Sequence, residues 1–248
     1  MIELGLIGAG AMGMNHARVA LALRDARLSV VVDPDEKRGR PVAERAGARY
    51  SSDLQKVLGM IDAAIVAVPT GSHFEIVMEL LEAGIHVLVE KPIASSPDQG
   101  RKLVSAAEAA SRVLMVGHVE RFNPAVLQLD DIVSEPIHLA AQRISPFAPH
   151  IDDGVTLDLM IHDLDLVASL VRSPVSRVQA VTRDVHGPDD LTVALLEFAN
   201  GTTADLTASR LGQEKIRDLS ITQRDNFVKV DLIRQSVSIH RVGRIESG

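Results

Sequence analysis

The chain has 248 residues, enough for one or two domains, and its 46% hydrophobic and 24% charged residues place it among globular rather than disordered proteins. It contains no cysteine, which excludes disulfides, cysteine nucleophiles and thiolate metal sites; a net charge of −7, with one tyrosine, five phenylalanines and no tryptophan, argues against a nucleic-acid partner. The longest apolar run, 63–68, is far too short to span a membrane, and the N-terminus enters a strand-like segment without the basic and apolar regions of a signal peptide, so a cytoplasmic protein is expected.

Strand-like runs at 2–7, 28–32, 63–68, 86–89 and 113–117 alternate with helical patterns at 11–23, 35–46, 73–83 and 97–110. Strands apolar on both faces and separated by helices predict a doubly wound parallel sheet, an α/β Rossmann domain over 1–120. A boundary is expected near 118–122. Beyond it the rhythm changes to a strand at 136–144, a loop at 145–154, a helix at 156–171 and six strands at 177–184, 191–198, 202–208, 215–221, 227–232 and 236–241. Asn200-Gly201 marks a turn between two of them. This predicts an α+β domain over 121–248 built on a mostly antiparallel sheet. The run 191–198 is apolar on both faces, which suggests either local burial or a homodimer or homotetramer formed through this sheet.

Gly8-Ala9-Gly10-Ala11-Met12-Gly13 follows the first strand and opens the first helix. Gly8 suits the tight turn, Gly10 the approach of a pyrophosphate and Gly13 close helix packing, with backbone N–H groups at the helix start facing the phosphates. Asp33 ends the second strand 20 residues after Gly13, a spacing that suits a carboxylate bonding the ribose hydroxyls. A carboxylate repels a 2′-phosphate, so NAD is expected over NADP; Lys37 and Arg38 could soften that preference or form a solvated helix face. Further walls of the cofactor crevice are expected at the ends of later strands: Pro69, Thr70 and His73 after the third, and Glu90, Lys91 and Pro92 after the fourth. A cis peptide before Pro92 would aim Lys91 into the crevice, although a lysine at a strand end is commonly just solvated.

In the helix at 156–171, Leu157, Met160, Ile161, Leu164, Val167, Ala168 and Val171 follow the spacing of one buried face. Asp158, His162, Asp165 and Ser169 form a polar stripe on which Asp158 and His162 are neighbours. The remaining leucines predict burial nearly all round, so the ionisable groups need partners or a cavity, unless the stripe meets solvent or another subunit. A rival arrangement of His150, Asp152, Asp153, His162, Asp163 and Asp165 around a metal lacks a recognised ligand spacing, and no metal is expected.

The motif at 8–13, Asp33, Glu90-Lys91-Pro92 and Asp158-x-x-x-His162-Asp163 together resemble the glucose–fructose oxidoreductase and inositol dehydrogenase (Gfo/Idh/MocA) family of NAD(P)-dependent sugar dehydrogenases, from residue 2 to about 240. The stretches 116–124, 143–147 and 158–163 are most similar to its UDP-N-acetylglucosamine 3-dehydrogenase members. The resemblance implies that Lys91 contacts the reacting hydroxyl and the nicotinamide ribose, His162 is the acid/base, and Asp158 orients His162 or the substrate. The chemistry asks for the same groups: an imidazole to take the hydroxyl proton and a cation to steady the alkoxide. For a nucleotide sugar, Arg121 and Arg143 are the candidates for the pyrophosphate, with Asn123 and His118 lining the pocket; a surface salt bridge is the alternative for either arginine. The implied product is a 3-keto sugar that an aminotransferase could aminate, as in lipid A biosynthesis. Inositol or another sugar as substrate, or a non-catalytic dinucleotide sensor, are the competing functions. Members of the family run longer, with further helices and strands after the position matching Arg241.

Overall fold

The computed structural model describes residues 1–147 and 153–241, which divide into two compact units, Met1–Gly117 and His118–Gly248. The first unit holds six strands, β1 (Ile2–Ile7), β2 (Ala26–Val32), β3 (Arg49–Ser51), β4 (Ala63–Val66), β5 (His86–Val89) and β6 (Leu114–Val116), all parallel in the order β3-β2-β1-β4-β5-β6. Between them run α1 (Ala11–Ala20), α2 (Glu36–Ala46), α3 (His73–Glu82) and α4 (Pro97–Ala110). Local chemistry sets their ends. Asp35 caps α2 by accepting from the Lys37 N–H, and Gly47 closes it in the left-handed conformation, φ 63°. Ser96 caps α4 ahead of Pro97, whose missing N–H costs nothing in the first turn. The doubly wound sheet is as expected, with one strand more: β3 has only three residues and no apolar run to announce it. Residues 67 and 68, read as strand, leave β4 and bend toward the end of β1.

The second unit contains β7 (His138–Ile144), the short helices α5 (Pro124–Leu127) and α6 (Leu129–Ile132), a helix in two parts, and then β8 (Val175–Arg183), β9 (Leu191–Phe198), β10 (Thr203–Ser209), β11 (Ile216–Thr222), β12 (Asn226–Asp231) and β13 (Ser236–Arg241). The sheet order is β13-β12-β11-β7-β10-β9-β8; every pair is antiparallel except β7 with β10, which makes the sheet mixed. The loop at 199–201 joins β9 to β10, with Phe198 N–H donating to the Thr202 carbonyl and Gly201 at φ 86°, a conformation that glycine adopts without steric cost.

The predicted single helix over 156–171 is a π-helical turn, Thr156–Met160, running into α7 (Ile161–Val171). The wider turn alters the angular phase of the helix beyond it. The buried stripe is Met160, Asp163, Leu166, Val167, Leu170 and Val171, whereas Leu157 and Ala168, expected inside, are exposed. This stripe packs with Leu139, Ala141, Leu206, Leu219 and Ile221 in the core. The opposite sheet face carries Val181, Val193 and Leu195 across β8 and β9, each at least 40% exposed, beside the polar Thr203, Asp205 and Thr207 of β10. Among the described residues no helix is long and apolar enough to cross a membrane.

Candidate functional site

The N-terminal unit reverses its strand order between β1 and β4, and the glycine turn sits there. Gly8 has φ 94°, and a Cβ on it would lie 2.6 Å from the Ala67 carbonyl oxygen at the end of β4. A Cβ on Gly13 would overlap the Gly8 carbonyl oxygen, so only glycine lets the first turn of α1 rest on the turn below it. Gly10 has open space on its Cβ side, and Ala11 and Met12 are exposed at the helix start, where the first N–H groups of α1 have no intrahelical partner. Open space beside unpaired N–H groups fits a pyrophosphate. Asp33 is 4% exposed: Oδ2 accepts from the Ala9 N–H and Oδ1 from the Asp35 N–H, each at 2.8 Å, which locks the end of β2 to the glycine turn. Arg38 Nη2 stands 3.8 Å from Asp33 Oδ1.

The wall after β5 is tied from behind. Glu90 is buried, with Oε1 2.7 Å from His16 Nε2 and Oε2 accepting from the Lys91 N–H. Burial alone would raise its carboxyl, but the His16 contact, with the Lys91 amide and charge, holds it below the ordinary value. Gly117 makes this possible, since a Cβ there would press on the Glu90 carboxylate at 3.1 Å. The Lys91–Pro92 peptide is cis, and Lys91 is half-buried. Pro69 is exposed and Thr70 half-buried beyond β4. His73, expected to face a cofactor, is 1% exposed, with Nδ1 2.8 Å from the Pro92 carbonyl and Nε2 3.0 Å from the Val68 carbonyl. Both ring nitrogens meet main chain, so His73 braces the two wall segments and offers no atom to a ligand.

In the second unit the π-helical turn carries Asp158, and α7 begins one residue before His162, which is half-buried. The turn is anchored from neighbouring strands. Arg210, just past β10 and 4% exposed, donates through Nη2 to Asp158 Oδ2 at 2.8 Å and through Nη1 to the Asp153 carbonyl. Asp189 accepts from the Thr156 N–H at 2.8 Å, and its own carbonyl takes the Val155 N–H. Asp165, one turn after His162, receives a two-pronged bond from Arg121, Nε to Oδ2 at 2.7 Å and Nη2 to Oδ1 at 2.6 Å, and lies 3.8 Å from His118 Nδ1.

Two expected substrate residues serve the interior instead. Arg143 is 1% exposed, donating to both oxygens of Asp163 and, through Nη1, to Glu120 Oε1 at 2.9 Å. Burial works against its charge, but the two carboxylates outweigh that and raise its pKa; burial lifts Asp163 against the pull of Arg143, while the arginine's bonds carry Glu120 below its usual value despite burial. Asn123 is buried too, capping α5 by accepting from the Ala125 N–H and donating to the Leu232 carbonyl and to Glu120. Neither Arg143 nor Asn123 has a group left to line a pocket, and the surface salt bridge considered for Arg143 is an interior one. Arg121, by contrast, does make a salt bridge at the surface. The sequence reading missed His16, Glu120 and Arg210, whose partners lie far along the chain; Asp163 carried a signal, standing among Met160, Val167 and Leu170 on an apolar stripe. His150 and Asp152 of the rival metal arrangement lie outside the described residues, and among those described no three acidic or histidine side chains gather as a metal site.

A parallel sheet with its glycine turn at the strand-order reversal, Asp33 at the end of β2 and a separate α+β unit defines a dinucleotide-dependent oxidoreductase. The model of the Gfo/Idh/MocA oxidoreductase family, NAD-binding Rossmann fold, matches residues 2–118, and that of the Gfo/Idh/MocA C-terminal domain matches 135–223. The chain is 33% identical over 245 residues to UDP-N-acetylglucosamine 3-dehydrogenase of Acidithiobacillus ferrooxidans, covering 98% of this chain and 78% of that protein. It is 32% identical over 226 residues to inositol 2-dehydrogenase of Acidothermus cellulolyticus, covering 84% of this chain and 66% of that one. Among solved structures, the same Acidithiobacillus enzyme, GnnA, superposes with a TM-score of 0.93 at 32% identity over 97% of this chain and 80% of its own. GenD2 from gentamicin A biosynthesis, solved in complex with NAD, superposes with a TM-score of 0.87 at 26% identity over 93% of this chain and 72% of its own. The chain belongs to the Gfo/Idh/MocA family of oxidoreductases.

Proposed function

We propose that the protein is an NAD-dependent dehydrogenase that oxidises a secondary hydroxyl of a nucleotide sugar, C3 of UDP-N-acetylglucosamine, to the ketone. The observation that carries the cofactor reading is the glycine turn: Gly8, Gly10 and Gly13 leave the start of α1 open while Asp33 fixes the end of β2 beside it. The likeness to the Acidithiobacillus enzyme across 98% of the chain supports the substrate. A bound nicotinamide ring supplies the hydride acceptor. The chain supplies the rest: His162 takes the hydroxyl proton, Lys91 steadies the negative charge that forms on oxygen, and Asp158, held by Arg210, orients the imidazole or the sugar. The 3-keto product suits a subsequent amino-transfer step. The 32% identity to an inositol 2-dehydrogenase favours a cyclic polyol as the second reading.

A panel of UDP-sugars, free sugars and inositols, each with NAD and monitored by the absorbance of the reduced cofactor, tests this. Reduction with UDP-N-acetylglucosamine is expected; reduction with inositols alone would replace the first reading by the second. The exposed Val181, Val193 and Leu195 support a homodimer or homotetramer closed through the outer face of the second sheet. Light scattering is expected to show more than one chain per particle at micromolar concentration, and a monomer there would reject the assembly.

A further inference from the structure

A carboxylate at the end of a strand is ordinarily solvated, yet Glu90 is buried. Burying an ionised carboxyl is costly unless its oxygens find partners, and both do. Oε1 lies 2.7 Å from His16 Nε2, on a residue 74 positions earlier in the chain, and Oε2 accepts from the Lys91 N–H at 3.2 Å. His16 stands on α1 beside the small buried residues Gly13, Ala17 and Ala20, which bring the helix close to the sheet and its imidazole within reach of the end of β5. The residue after Lys91 is anchored as well, the Pro92 carbonyl meeting His73 Nδ1 at 2.8 Å. Lys91 therefore leaves the main chain between two fixed neighbours, one tied to α1 and the other to α3.

The two ties differ in kind. His73 joins main chain to main chain, whereas the His16 contact ends on a carboxylate that itself bonds the Lys91 amide. Resting on the role given to Lys91 above, we propose that His16 is a positioning residue for the reaction. Acting through Glu90, it fixes the point from which the Lys91 ammonium reaches the hydroxyl. It also ties that point to α1, the helix whose open first turn would take the pyrophosphate. Placement matters because a displacement of about 1 Å in a reacting group can cost on the order of 10²-fold in rate.

Amide hydrogen exchange of the full chain, without cofactor or substrate, tests the link directly. In His16→Ala the Lys91 amide is expected to exchange at least about tenfold faster, the effect of weakening a hydrogen bond to a charged group, while β1 and β4 stay within about twofold of the parent. Pro92 has no N–H, so Lys91 carries the last exchangeable amide in fragments ending there. Turnover of NAD with UDP-N-acetylglucosamine, or with the inositol that replaces it in the panel, gives a second measure. His16→Ala is expected to lower kcat at least about tenfold with the KM for NAD within about twofold of the parent. His16→Gln, whose amide N–H can take the place of Nε2, should recover most of that loss. In a Lys91→Met background, His16→Ala should add less than about twofold, since a residue that acts through Lys91 then has nothing left to position. A Lys91 amide or a kcat unmoved in His16→Ala, or an effect on kcat as large without Lys91 as with it, overturns the inference and leaves the dehydrogenase reading standing. A parent-like rate in Lys91→Met overturns the role of Lys91 and the inference together.

Discussion

Replacing His162 with alanine is expected to lower turnover by ~10²–10⁴-fold, the usual contribution of a positioned acid/base, while dinucleotide affinity stays within about twofold of the parent. The separation comes from where the residues sit. His162 belongs to the second unit, whereas the glycine turn and Asp33 belong to the first, so on the proposed roles the substitution removes the proton acceptor and alters no residue of the glycine turn or its Asp33 anchor. On the role proposed for Lys91, Lys91→Met should also slow turnover at least about tenfold, because the charge on oxygen would then form without a cation. Rates are read with the substrate that the panel identifies, and affinity by calorimetry. Turnover within about twofold of the parent in His162→Ala would remove the imidazole from the chemistry.

Replacing Arg143 with methionine is expected to destabilise the protein by about 3–5 kcal/mol, because it strands Asp163 as a buried carboxylate without its bonded cation and leaves Glu120 only the longer contact with Arg217, 3.5 Å, and the Asn123 amide. The pH dependence identifies the cause. In the parent, Glu120 titrates below its ordinary range, so its contribution is present above the unfolded-state value and is lost as pH falls through the folded one. Asp163 is raised, so its contribution has the opposite sense, full at low pH and lost as pH rises through its folded value. Without Arg143 both carboxyls shift upward and become neutral more readily in the fold. The deficit should therefore be full at neutral pH and shrink as pH falls toward about 4, near the ordinary carboxyl values. Denaturant unfolding of parent and variant at several pH values reads this directly, and a deficit constant with pH would mean that lost packing, not stranded charge, is the cause.

The two sheets were legible because nearly all their strands are written in apolar residues that alternate or run continuously, and β1, β5, β9 and β13 begin and end where the pattern placed them. β3 was not, because Arg49–Ser51 joins the sheet through backbone pairing with β2, and the side chains give no sign of it. The glycine turn was readable since each glycine answers a local need. The polar groups were harder, because charge in a sequence is read as solvent-facing. Arg143 and Asn123 lie in stretches that suggested a pocket, yet their partners, Asp163 and the Leu232 carbonyl, are brought to them only by the tertiary fold. The helix at 156–171 misled for a different reason: a π turn inserts a phase shift that a fixed 3.6-residue period cannot anticipate.

The parallel pairing of β7 with β10 has a consequence for how the second unit is made. β7 is the middle strand, yet both its neighbours come much later in the chain: Thr203 pairs with His138 and Thr222 closes the other side. As the polypeptide leaves the ribosome, this strand emerges with two bare edges and waits for the whole stretch between Ile144 and Thr203 before either is covered. Loop closure of that length is slow, and exposed edges invite the wrong partner in the interval. The same stitch that sets β7 at the centre of the sheet makes this half of the molecule the later to assemble and the more dependent on protection while it does.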